Sequence, residues 1–131
     1  MEGTPQALLA PEIQATLLAE AMATATVGFL IWDDDRHYIA ANRAACRLLG
    51  GSLEEIVGSV VGSRTLGGDE VVATVIAGGG GRGRVTVERF DGSGPVTRDY
   101  VTFSTRTAGL PYMASVIWPA VDDLSRSEGR A

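Results

Sequence analysis

Lysine is absent from this chain of 131 residues, and all eleven basic side chains are arginine. We read that as a bias of genome composition rather than as a site. A single cysteine, Cys46, cannot form an internal disulfide and is too few for a metal cluster. Positive charge is not clustered and the formal net charge is −5, which argues against a nucleic-acid backbone as partner. No apolar run approaches the roughly 20 residues of a membrane span. The first residues carry Glu2 and no basic cluster, so no secretory signal is expected and a cytoplasmic address follows by default. Apolar residues themselves are not lacking: 45% hydrophobic against 21% charged suits one soluble domain with a real core.

The stretch that organises the chain runs from Val27 to Gly50. It reads as a short apolar strand (Val27–Trp32), an acidic turn (Asp33–Asp35), a second strand (His37–Ala41) and a helix opened by Asn42. An asparagine suits that place, because its side-chain oxygen accepts a backbone N–H that the first helical turn leaves open. Ala44, Ala45, Leu48 and Leu49 repeat at helical spacing, and Gly50-Gly51 stops the helix. This order resembles the opening of a PAS domain, a small sensor module of signalling proteins. Asp33, Asn42 and Gly50 stand where that family's pattern has its Asp, Asn and Gly.

Before this stretch, Leu9, Ile13 and Leu17, with Leu18 and Met22, give a helix with an apolar stripe, starting near Pro11. After it, Ser52-Leu53-Glu54-Glu55 is a capping box. Asp69 then opens a helix whose Val72, Val75 and Ile76 share a face. Gly78 to Gly81 end that helix and read as a mobile connector. They are not a phosphate loop, because they leave a helix and enter a strand. The last third is β: Arg84–Phe90, Val96–Thr107 and Tyr112–Trp118, an antiparallel meander with turns at Asp91-Gly-Ser-Gly and Ala108-Gly-Leu-Pro. Together with the first hairpin this predicts an α+β fold, a PAS-like five-stranded antiparallel sheet with central helices on one face and an N-terminal flanking helix. The expected divisions are 1–26 for the flanking helix, 27–119 for the PAS-like domain and 120–131 for a polar tail.

By the same resemblance, a ligand pocket would lie between the inner sheet face and the central helices. Leu30, Trp32, Ile39 and Ala41 are expected on that face, with Val101, Phe103 and Thr105 from the long strand. Met113, Ser115 and Ile117 would join them from the last strand, and Ala45, Leu49, Val72, Val75 and Ile76 from the helices. The opposite face would show Tyr100, Tyr112, Val116 and Trp118. A sheet apolar on both sides needs cover on both. The outer cover is expected from the N-terminal helix or a second subunit, making Leu9, Ile13 and Leu17 dimer contacts.

No cofactor is expected. Flavin light sensors of the PAS family use a Cys in the segment that here reads SVVGSRT, and haem members a His on the helix that here reads DEVVATVIA. Neither residue is there. Members with a cinnamoyl chromophore place its partners where this chain has Ala41 and Ala45. An inner wall with little polarity makes an anionic ligand a poor fit. Two readings stand: a dry cavity that takes an apolar small molecule such as a fatty acid, or a core filled by Trp32 in a ligand-free module for homodimerisation and relay. In either, an output domain or a kinase or phosphatase is the implied partner. Catalysis is not expected, since Asp33–Asp35 form a turn, Asp122-Asp123 lie in the tail, and His37 has no nucleophile motif around it.

Overall fold

The computed structural model describes residues 6–120. A single 3-10 turn, Gln6–Leu9, leads into α1 (Pro11–Thr24), with Pro11 in its first turn, where a missing N–H costs nothing. Then come β1 (Gly28–Trp32), β2 (Tyr38–Ala41), α2 (Arg43–Leu49), α3 (Leu53–Ile56) and α4 (Gly68–Ala77). The chain closes with β3 (Gly80–Glu88), β4 (Pro95–Thr107) and β5 (Leu110–Pro119). All five strands form one antiparallel sheet in the order β2-β1-β5-β4-β3. The connection from β2 to β3 carries the three central helices, so the α+β architecture expected from the sequence is the one found.

Local chemistry explains the elements. Asn42 caps α2, its Oδ1 accepting from Ala45 N at 3.0 Å. Gly50 ends the same helix in the left-handed region at φ 67°, where only glycine is unstrained. Ser52 and Glu55 form the reciprocal capping box on α3. The glycine run is different from the connector expected: Gly80 and Gly81 already belong to β3, paired with Phe103 and Thr102.

Two core clusters lie under the sheet. Leu30, Ala45, Leu49, Ile56, Val87 and Ile117 form one, and Trp32, Val61, Val72 and Val75 the other. Side-chain parity departs from expectation in two strands. In β2 the pairing with β1 slips between Ile31 and Trp32, so that Leu30 faces Ala41 while Trp32 faces Tyr38. A bulge of this kind leaves one residue unpaired and re-aims its neighbours. Ile39 is that residue and is 38% exposed, while Tyr38 turns inward. In β4 the register sets Tyr100 opposite Ile117 and Thr102 opposite Ser115. Tyr100 and Thr102 are therefore inward, and Val101, Phe103 and Thr105 outward. On α4, Gly68, Val72 and Val75 are buried but Ile76 is turned out.

Candidate functional site

A cavity of about 90 Å³ lies between the inner sheet face and the segment from Val60 through α4. The sheet supplies Leu30, Trp32, Tyr100, Thr102, Ser115 and Ile117, the helical side Leu49, Val61, Val72 and Val75, and Phe90 also lines it. Trp32 is 2% exposed; its indole N–H donates to Ser115 Oγ at 3.0 Å. Ser115 Oγ and Thr102 Oγ1 are 2.7 Å apart and hydrogen-bonded. The indole N–H and the two hydroxyls thus find partners within the sheet, as low-dielectric interiors demand. Tyr38 also lines the cavity, and burial pushes its phenol up to about 12.

Arg98 is the polar surprise. It is 8% exposed and lines the cavity. Its Nε donates to Leu48 O at 3.0 Å and its Nη1 to Thr97 O at 3.2 Å. The Leu48 carbonyl belongs to the last turn of α2, where helical acceptors lack intrahelical partners and a cation is favoured. The wall is thus less apolar than expected: a guanidinium belongs to it, engaged with backbone oxygens.

Seven of the expected pocket residues line the cavity: Leu30, Trp32, Leu49, Val72, Val75, Ser115 and Ile117. Ala45 is buried in the cluster around Leu30, half-buried Ala41 packs against that cluster, and Met113 packs against the Trp32 cluster. Ile39, Ile76, Val101 and Phe103 are not in the wall, for the bulge, helix-face and register reasons given above. Tyr100, expected on the outside, is in it. The sequence reading missed Tyr38, Val85, Val87, Arg98 and Thr102.

The outer face keeps Tyr112, Val116 and Trp118 as expected. Across the sheet, Phe29, Val116, Val101 and Arg82 make one row, and Ile31, Ala114 and Phe103 the next. Phe103 is 45% exposed and the rest of these apolar residues are half-buried. A helix lying across this face would bury a stripe of its own, and α1 buries none of its residues; it leans on α2 instead. Leu9, Ile13 and Leu17 are all exposed.

No family model matches the sequence, and no curated protein matches it. Solved structures do. The PAS domain of an HTR-like protein from Haloarcula marismortui superposes with a TM-score of 0.72 at 19% identity, over 83% of this chain and 93% of that one. A domain of a sensory box sensor histidine kinase/response regulator from Geobacter sulfurreducens gives 0.69 at 19%, over 84% and 97%. The fold is a PAS fold. An RNA-binding light-oxygen-voltage receptor also matches, with a TM-score of 0.72 at 18% identity over 97% of this chain and 39% of that chain.

Within this PAS fold the acidic hairpin has structural work. Asp33 Oδ1 accepts from Asp35 N at 3.0 Å and His37 N at 2.9 Å, which closes the turn between β1 and β2. Among the described residues no group of three His, Cys, Asp or Glu side chains converges as a metal site. Asp122 and Asp123 lie outside the described residues. No helix of the described residues is long and apolar enough to cross a membrane.

Proposed function

We propose that this chain is a non-catalytic sensory and signal-relay module that works as a homodimer. The observation that carries the reading is a sheet apolar on both faces beside a helix, α1, that buries nothing within its own chain. Leu17 and Leu18 are 48% and 64% exposed. Apolar surface of this extent is stabilised by removal from water, at roughly 25 cal/mol per Å². A second copy would supply that cover, α1 and the outer face of one protomer meeting those of its partner. The sensory part is supported by the PAS fold and by its occurrence in a sensor histidine kinase; an output domain, kinase or phosphatase is the partner this implies.

The core is proposed to work without a resident ligand. Its cavity of about 90 Å³ falls below the ~300–1,000 Å³ of small-molecule sites. That favours the Trp32-filled reading over a fatty acid, whose chain would need the walls to open. It also speaks against flavin, as does the absence of Cys from Ser59–Thr65. The dimer is tested by light scattering of Leu17→Asp and Trp118→Glu. Monomeric mass in the variants and dimeric mass in the parent are expected; an unchanged mass, or a monomeric parent, overturns the reading.

A further inference from the structure

The glycine–arginine run that ends α4 has no part in the cavity, and Arg82 only ends a row of the outer face. The run forms an edge of the sheet, and half of that edge is covered. Leu66 N donates to Thr86 O at 2.9 Å and Glu88 N to Arg64 O at 2.7 Å, so residues 64–66 pair with the C-terminal half of β3. The covering chain then turns away into α4 at Gly67. From Val85 back to Gly80 no strand lies alongside among the described residues. Gly81, Arg82, Gly83 and Arg84 are all exposed.

In an antiparallel ladder one residue in two turns both its N–H and C=O away from its partner strand. Thr86 and Glu88 do so, and the regular pairing of β3 with β4 carries that alternation to Arg84 and Arg82. The same two residues place their side chains on the outer face, in the rows of Asp99 and Val101. Asp99 Oδ1 holds Arg84 Nε at 2.8 Å, whereas Arg82 makes no ion pair or hydrogen bond among the described residues. The alternate positions, Gly81 and Gly83, have no side chain; a Cβ there would stand 3.5 Å from Val75 Cγ2 and 3.4 Å from the Tyr100 ring.

We infer that this uncovered half of β3 docks an extended acidic segment of another protein as a sixth strand. Main-chain pairing centred on Arg82 supplies the attachment, and alternate side chains supply the choice. A residue opposite Arg82 on the outer face lies within cross-strand contact, where opposite charges stabilise and like charges repel. Apolar side chains between the acidic ones pass over Gly81 and Gly83 toward Val75 and Tyr100. A second copy of this strand is a poor occupant. The two-fold antiparallel registers about the middle of the uncovered stretch, with the axis at Arg82 or Gly83, set Arg82 against Arg82 or Arg84 of the copy.

The test is a titration of the full chain with a short synthetic peptide alternating glutamate and valine, read by amide chemical shifts. Shifts centred on Gly80–Val85 are expected, and a lysine–valine peptide should give none. Arg82→Glu should weaken binding several-fold. Arg82→Pro removes an outward N–H without touching the ladder to β4 and should weaken it roughly fivefold or more. Shifts located elsewhere, equal binding of the lysine peptide, or tighter binding of a short oligonucleotide overturn the inference. So does undiminished binding by Arg82→Glu, which keeps the fold if Arg82→Pro does not. Self-association relieved by Arg82→Glu, read by light scattering, would assign the edge to a second copy and equally overturn it.

Discussion

Asn42 joins three elements through one amide. Its Oδ1 accepts from Phe29 N at 2.9 Å and Ala45 N at 3.0 Å, while its Nδ2 donates to Met22 O at 2.8 Å and Val27 O at 3.2 Å. The end of α1, the start of β1 and the first turn of α2 thus meet at a single side chain. Asn42→Ala removes a cap worth about 1 kcal/mol and leaves a part-buried N–H without its acceptor, about 1–3 kcal/mol more. Asn42→Asp keeps both acceptor bonds and loses both donors. Urea denaturation should therefore rank the parent above Asn42→Asp, and that above Asn42→Ala. Tyr38 acts on stability through ionisation. An unfolded tyrosine ionises near 10.0, while burial raises Tyr38 to about 12. Between these values the unfolded chain binds fewer protons, so stability falls as pH rises. The contribution is complete below pH 10.0 and lost on passing through about 12. Tyr38→Phe should show a shallower alkaline fall of the denaturation midpoint, measured against the parent across that window.

The packing of α2 on β1 and β5 depends on a missing side chain. A Cβ on Gly28 would stand 2.7 Å from Ile117 Cγ1 and 2.8 Å from Ala45 Cα. The second of these is backbone and cannot rotate aside, so Gly28→Ala must push the helix off the sheet. Overpacking of that kind costs about 1–3 kcal/mol, and thermal unfolding should show a lower midpoint with the fold retained. Such close approach is invisible in sequence, where Gly28 is only one residue of the expected strand Val27–Trp32. The caps of α2 and α3 were legible, since Asn42, Gly50, Ser52 and Glu55 act within a few residues of themselves. The parity of β4 was read the wrong way round, with Val101, Phe103 and Thr105 inward, and what sets it is the turn that follows. Ala108 and Gly109 both have positive φ, 52° and 79°, the signature of a two-residue hairpin turn. That turn pairs Thr107 with Leu110, and counting outward sets Thr102 opposite Ser115 and Tyr100 opposite Ile117. With Ser115 and Ile117 inside, Val101 and Phe103 had to be outside. Each parity of β4 carries two apolar or aromatic residues, Val96 and Tyr100 on one and Val101 and Phe103 on the other, so hydrophobicity alone did not decide. The bulge at Ile39 has no comparable mark in the sequence.

A chain whose sheet is apolar on two faces, with central helices on only one, leaves apolar side chains of the other face in water as a single molecule. Its first helix adds to the imbalance: an isolated helix of the 14 residues of α1 is marginal in water unless an apolar face is packed, since helices below ~12–15 residues rarely hold alone. If two copies cover each other as proposed, folding and association are one equilibrium, and mass action makes stability depend on concentration. The thermal midpoint of the parent should then rise with protein concentration. In the double variant Leu17→Asp, Trp118→Glu it should be lower and independent of concentration. Hydrogen exchange separates this from a simple loss of stability. In the parent the amides of α1 should be protected along with those of β1 and β5. In the double variant α1 should exchange at once while the sheet keeps its protection, because the inner core around Leu30, Trp32 and Ile117 is closed within one chain. Protection of α1 that survives in the double variant would mean that the helix is held by its own chain, and the case for a second copy would fail with it.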